Sequence, residues 1–350
     1  MRFNSISSSL SHQNHIQCQV WRGHILESQH QAYAVLMNAE GHIICQVGSA
    51  SYTTCIRSAF KPFQAWSALQ NQVMDQYAFT DQEIAIMCSS HNGESKHQHI
   101  VQSILQKLGY EVSDLECGAH WPYYEACKHE MIQQQHKMTA LHNNCSGKHC
   151  AMLALSQSLA VNHHGYIERN HQVQQTILRY LSDWLDLENP QSIITGIDGC
   201  SLPTPQLSLQ QIAHLFILLA TGRTQLQASM PNPVFQRIFH AMNQQAFYVA
   251  GTDRFDTTMM ESFPEQVVSK VGGEAVRGLA IRMPSGESYS VVVKVLDGAM
   301  RALHPATLCF LEYVGLIERS TLPESLASFA QPTLTNWRQK VTGSITAEIR

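Results

Sequence analysis

The chain has 350 residues, 44% of them hydrophobic and 14% charged, with 23 basic side chains against 27 acidic ones. That is enough apolar mass for one large domain or two smaller ones, and it excludes an intrinsically disordered chain. A net charge of -4 leaves no basic face for nucleic acid and no polybasic membrane tag. The longest apolar stretch, 212–219, is interrupted by His214 and is too short to span a bilayer.

In chain order, residues 1–19 read as a mobile tail, Ser-rich and then Gln/His-rich, ahead of a single domain over 20–350. One early Arg with no apolar segment behind it gives no secretion signal, so a cytoplasmic location is expected. Short β-rich runs at 32–37 and 42–48 flank Asn38-Ala39-Glu40-Gly41, a hairpin signal. Apolar periodicity then predicts helices over 62–72, 97–108, 148–158, 167–185 and 207–221. A second hairpin follows, 276–283 and 287–295 around Pro284-Ser285-Gly286, and 299–316 reads as one more helix. Joining the two hairpins into one antiparallel sheet covered by helices gives an α+β architecture, with no parallel βαβ rhythm to compete. The ten cysteines are scattered and read as reduced thiols, most of them small buried hydrophobes.

Three short segments carry chemistry. Arg57-Ser58-Ala59-Phe60-Lys61-Pro62 holds a Ser-x-x-Lys spacing beside a proline that favours a helix start. At such a start the i, i+3 spacing puts hydroxyl and amine on one face, and a desolvated lysine can be neutral and take the serine's proton. The plainer reading is a Ser N-cap followed by a surface lysine. Ser90-His91-Asn92 follows the apolar run 84–88, and Lys270-Val271-Gly272 precedes the second hairpin; taken singly they are a polar loop and a turn. In this order Ser-x-x-Lys, Ser-x-Asn and Lys-x-Gly are the signatures of serine β-lactamases and penicillin-binding proteins.

Asn143-Asn144-Cys145-Ser146-Gly147-Lys148-His149-Cys150 opens a helix, and Gly196-Ile197-Asp198-Gly199-Cys200 is a Gly-rich turn. Cys145, His149, Cys150 and Cys200 are ligand types that suit zinc, and a cysteine at a helix N-terminus has a lowered pKa. Spacing does not choose among them, and reduced cysteines packed together are the alternative. Gly251-Thr252-Asp253-Arg254-Phe255-Asp256-Thr257 offers polar groups that could line a small substrate, and Cys117-Gly118-Ala119-His120-Trp121-Pro122 could present His120. Neither G-x-G-x-x-G nor a Walker sequence occurs.

Taken together, the segments at 57–62, 90–94, 117–118, 145–149, 198–200, 250–256 and 270–272 resemble the L-asparaginase II family, the rhizobial inducible type, over roughly residues 20–315. The resemblance implies a fold similar to serine β-lactamases and glutaminases, and conversion of L-asparagine to L-aspartate and ammonia through an acyl-enzyme. It implies Ser58 as nucleophile, Lys61 as its base and Ser90 as a proton relay between Ser58 and Lys270. Lys270 would keep Lys61 partly neutral by like-charge repulsion. A zinc ion would sit on Cys145, Lys148 and Cys200. Arg57 and Asp198 would clamp the carboxylate and ammonium of the amino acid, with His149 and Asn92 also at the substrate, and the enzyme would be a homodimer. The rival readings are a glutaminase, a penicillin-recognising hydrolase, or a non-catalytic zinc-binding or redox protein in which Ser58 is only a cap.

Overall fold

The computed structural model describes residues 15–70, 73–225 and 230–350. Its strands are β1 (Ile16–Arg22), β2 (Ile25–Asn38), β3 (Ile43–Val47), β4 (Thr53–Cys55), β5 (Thr195–Ile197), β6 (Pro203–Ser208), β7 (Val267–Gly272), β8 (Val276–Arg282), β9 (Ser288–Val295), β10 (Thr333–Thr335) and β11 (Val341–Ile349). The α-helices are α1 (Lys61–Leu69), α2 (Val73–Gln76), α3 (Asp81–Met87), α4 (Ser95–Leu108), α5 (Glu125–Gln133), α6 (Ser146–Ser158), α7 (Gln172–Trp184), α8 (Leu209–Thr221), α9 (Pro233–Gln244), α10 (Ala246–Val249), α11 (Phe255–Ser262), α12 (Met300–Tyr313) and α13 (Glu324–Ala330). The chain divides into two compact units. One takes 1–54, as far as described, with 207–221 and 269–350; the other takes 55–206 and 222–268.

The first unit is built on an eight-stranded sheet in the order β10-β11-β1-β2-β9-β8-β7, with β3 added to β2. Antiparallel pairing of β2 with β9, from Ala32↔Val295 to Asn38↔Tyr289, joins the two hairpins expected from the sequence. β9 carries an unbroken Val291-Val292-Val293 run because both of its faces are covered. Neighbouring residues of β8 point to opposite faces. Arg277 Nη1 lies 3.1 Å from His304 Nδ1 on α12, whereas Gly278 faces α8. A Cβ on Gly278 would lie 2.1 Å from Phe216 Cε2, so glycine is what lets α8 approach the sheet this closely. Ser290 Oγ donates to Ala213 O at 2.7 Å and ties α8 down. The first unit is thus an antiparallel sheet of N- and C-terminal strands covered by helices, the α+β class expected.

The boundaries differ in instructive places. Of the stretch read as a mobile tail, residues 1–14 lie outside the described residues, but Ile16–Gln19 are part of β1. Ile16, Cys18 and Val20 are fully buried there, and β1 is paired on both sides, with β2 and with β11. The helix expected at 62–72 is α1, which ends at Leu69; residues 71 and 72 lie outside the described residues. The helix expected from 167 starts only at Gln172, because the His171 side chain caps it by accepting from Val173 N–H at 3.2 Å. Among the described residues no helix is long and apolar enough to cross a membrane.

The second unit is mainly helical; β4, β6 and β5 form a separate three-stranded sheet in that order. Its centre is α6, buried along most of its length, against which α1, α3 and α4 pack. Gly147 makes this possible at the start of α6: a Cβ there would lie 2.0 Å from Ile86 O of α3. Behind α1, Trp66 stacks on Phe235 (centroids 5.3 Å apart) and meets Trp184 edge-on at 4.9 Å. Burying rings of this size contributes several kcal/mol in all, about 1.5–3 kcal/mol for a Phe-sized side chain. The residues at the head of α1 therefore project from a rigid base.

Candidate active site

Ser58 lies in a 3-10 turn, Arg57–Phe60, that runs directly into α1, with Pro62 in the first helical turn as expected. The N-cap of α1 is Phe60, so Ser58 is not its cap. In a 3-10 turn residues three apart eclipse one another, which brings Ser58 and Lys61 to one side. The turn is entered through Arg57 at φ +46°, a left-handed conformation that costs a non-glycine residue of order 1 kcal/mol. Three bonds hold it there: Ile56 N–H to Pro205 O at 3.0 Å, Arg57 N–H to Thr204 Oγ1 at 3.0 Å, and Arg57 Nε–H to Asp198 Oδ1 at 2.8 Å.

Lys61 is completely buried. Its Nζ contacts Ser89 O at 2.5 Å, Ser90 Oγ at 3.0 Å, Asn144 O at 3.2 Å and Asn144 Oδ1 at 3.5 Å. Burial pushes its pKa below the usual lysine value; the Lys148 charge pushes the same way, and the Cys145 and Cys200 thiols oppose it. A neutral amine has two N–H donors and one lone pair. As placed, Nζ donates to Ser89 O, Ser90 Oγ and Asn144 O; once it loses a proton, the lone pair can face only Ser90, whose hydroxyl alone among these partners can donate. Ser90 itself is fixed by its N–H, which donates to Val249 O at 2.9 Å.

A second cluster adjoins the first. Lys148 Nζ donates to Cys200 Sγ at 2.9 Å and lies 3.9 Å from Asp198 Oδ2. Cys145, expected to be lowered at its helix start, is instead pushed up to about 12 by the neighbouring Cys200 and by burial, and its thiol donates to Asn144 Oδ1 at 3.1 Å. The proximity of Cys145, helped by the Lys148 ammonium and opposed by burial, lowers Cys200 to about 5. Burial works against the Lys148 charge, but Cys145, Cys200 and Asp198 outweigh it and the lysine is held above its usual value. Asp198 is likewise kept ionised against burial by Lys148 and Arg57. Among the described residues no three His, Cys, Asp or Glu side chains gather in a metal-holding group. Two thiols and an amine do converge here, a soft S, S, N donor set that suits zinc once Lys148 gives up a proton.

The remaining expected residues are placed as follows. His149 is buried on α6, its Nδ1 2.7 Å from Tyr166 OH, with burial first and the Lys148 charge second lowering its pKa to about 3. Asn92 is buried, donating to Thr252 O at 2.9 Å and accepting from Arg254 Nη1 at 2.8 Å. Lys270 belongs to the first unit, on β7, fully buried with Nζ donating to Val271 O at 2.8 Å. Its segment is thus a strand, not a turn. Cys150 is buried with its Sγ directed to Val101 O (4.0 Å), so it stands apart from the two thiols that pair. Asn144 went unnoticed in the sequence, although it touches Lys61, accepts from Cys145 Sγ at 3.1 Å and donates to Tyr123 OH at 2.9 Å. Its place beside Cys145 in a polar segment was the only signal.

The profile of the L-asparaginase II family matches residues 18–347. No curated protein sequence matches the chain. Among solved structures it is similar to a β-lactamase from Mycobacterium bovis, at 10% identity and TM-score 0.41, over 81% of this chain and 94% of that one. It is also similar to Mglu in its native form (12% identity, TM-score 0.36, 82% of this chain and 64% of that one). A third similar structure is the simvastatin synthase LovD from Aspergillus terreus (11% identity, TM-score 0.37, 75% of this chain and 86% of that one). With the family profile covering nearly its whole length, the chain belongs to the L-asparaginase II family.

Proposed function

We propose that the protein is an L-asparaginase that releases ammonia from the side-chain amide of L-asparagine through an acyl-enzyme on Ser58. Family membership supports the reaction class, amide hydrolysis. The observation that carries the proposal is the state of Lys61, a buried amine held low and within 3.0 Å of a serine hydroxyl, one 3-10 turn after Ser58. In this reading neutral Lys61 receives the Ser58 proton, with the Ser90 hydroxyl as relay, while Ser58 Oγ attacks the amide carbon. The C–N bond then breaks as the proton passes to the departing nitrogen, which leaves as ammonia. Water, deprotonated by the same lysine, releases aspartate and restores Ser58. Backbone N–H groups at the head of α1 would stabilise the oxyanion.

Besides the repulsion that the resemblance assigns to Lys270, the Lys148 charge lowers the Lys61 pKa for as long as Lys148 keeps its own proton. The role of Lys270 beside Ser90 stays with the resemblance. Arg57 and Asp198 would receive the charged head of the amino acid. Cys145, Lys148 and Cys200 would hold zinc, which when bound supplies Lewis-acid charge next to the amide. The resemblance also implies a homodimer, and the N-terminal sequence supports a cytoplasmic location.

The test is ammonia release by purified protein offered L-asparagine and L-glutamine, alongside hydrolysis of a penicillin. Turnover of asparagine, ahead of the other two, is expected. Preference for glutamine or the penicillin would move the assignment to a rival hydrolase, and silence with zinc still bound would favour a zinc-binding protein.

A further inference from the structure

We infer that Arg254 is a second carboxylate anchor of the site, taking the α-carboxylate of the substrate and selecting amino-acid amides over simple amides. The inference rests on the asparaginase reading and adds to the Arg57–Asp198 pair. The loop before Arg254 is fixed with unusual care. Gly251 has φ +112° and Asp253 φ +59°, and a Cβ on Gly251 would lie 2.6 Å from Asn92 Nδ2. Thr252 donates to the Glu94 carboxylate twice, from its N–H at 2.9 Å and its Oγ1 at 2.8 Å. Asn92 closes the loop onto the Ser90 segment through Thr252 O. What this scaffold presents is one guanidinium, whose Nη1 donates to Asn92 Oδ1 at 2.8 Å.

That contact is to a neutral amide, and a guanidinium has five N–H donors. Glu94, the carboxylate that holds the loop, is engaged by Thr252 and by Asn92 Nδ2 at 3.3 Å. Among the described residues Arg254 makes no ion pair. Arg57 differs, its Nε already bonded to Asp198 at 2.8 Å. The charges of Arg254 and Arg57 both bear on the Tyr123 phenol, whose hydroxyl accepts from Asn144 at 2.9 Å, and Asn144 in turn contacts Lys61. Arg254 is therefore a half-buried cation, two residues removed from Ser90 through Asn92, with its fork of donors unmatched by an anion. A carboxylate is the anion that fits that fork bidentately.

The test compares L-asparagine with 3-aminopropanamide, the same amide without its carboxylate, in the wild type, Arg254→Gln and Arg254→Lys. In Arg254→Gln the KM for L-asparagine should rise about 10- to 100-fold, the loss expected for a charge-assisted hydrogen bond. kcat should stay within a few-fold and the KM for 3-aminopropanamide should be unchanged. Arg254→Lys should recover part of the loss, and the Kd for L-aspartate should follow the same order. An unchanged KM for L-asparagine, or an equal rise for both amides, would overturn the inference alone. A wild type that hydrolyses neither amide would overturn the asparaginase reading and the inference with it.

Discussion

Lys61 Nζ stands 3.0 Å from Ser90 Oγ, in a cage whose other oxygens belong to Ser89 and Asn144. These three oxygens satisfy the donors of an ammonium, and the Ser90 hydroxyl is the one partner that can turn to donate when the amine has lost its proton and acts as a base. Replacing Lys61 by Met should lower kcat about 10²–10⁴-fold, the usual worth of a general base. Lys61→Arg should not rescue it, because a guanidinium stays charged. Steady-state kinetics on folded variants, checked by circular dichroism, decides; near-normal kcat in Lys61→Met would remove the lysine from the mechanism.

Cys145 and Cys200 lie close enough to shift each other's pKa, and Lys148, donating to Cys200 Sγ at 2.9 Å, completes the donor set. If these residues hold zinc, the wild type purified without chelator should carry it stoichiometrically, and Cys200→Ala should lose it. Elemental analysis reads both. Zinc retained by Cys200→Ala would place the metal elsewhere or make it adventitious.

Gly147 fixes how closely α6 lies on α3, and hence where Cys145 and Lys148 stand. In Gly147→Ala the new methyl meets Ile86 O, and overpacking of this kind costs about 1–3 kcal/mol. Both thermal stability and activity should fall, because the displaced helix carries the donor cluster. An unchanged melting temperature would contradict the packing described.

Acid should destabilise the fold through its buried imidazoles. Burial holds His91 and His97 below the ordinary histidine range, and His149 at about 3. Each is neutral in the folded chain but binds a proton once unfolded below about pH 6.5. Their contribution is therefore full above that value and declines as pH falls towards each folded-state pKa, with a limiting slope of about 1.4 kcal/mol per pH unit that His149 comes nearest to reaching. Urea unfolding at pH 7.5, 6 and 5 should show this slope, and a flat profile would refute it.

The fold class was legible in the sequence, and most residues of the candidate site were read from short motifs that the structure brings into one unit. Ser58, Lys61, Ser90, Cys145, Lys148, Asp198 and Cys200 lie in short motifs, where residue type and spacing carry the chemistry directly, and all fall in one unit. Asn144 and Arg254 were harder, since their importance comes from contacts across long stretches of chain, to Lys61 and to Asn92. Helices with a strong apolar stripe, such as α4 and α8, were readable. β1 was hidden because Gln17 and Gln19 alternate with Ile16, Cys18 and Val20, and the strand lies between β2 and β11, which begins more than 300 residues later in the chain. α9 was missed although Asn232 caps it and Pro233 opens it, an available start signal.

The most direct test of the central claim is to quench the enzyme during turnover of L-asparagine and examine the Ser58 peptide by mass spectrometry, with Ser58→Ala in parallel. The account predicts a β-aspartyl ester on Ser58 in the wild type, and no adduct and no ammonia release above background in Ser58→Ala. Full activity in Ser58→Ala, or an adduct confined to another residue, would contradict it.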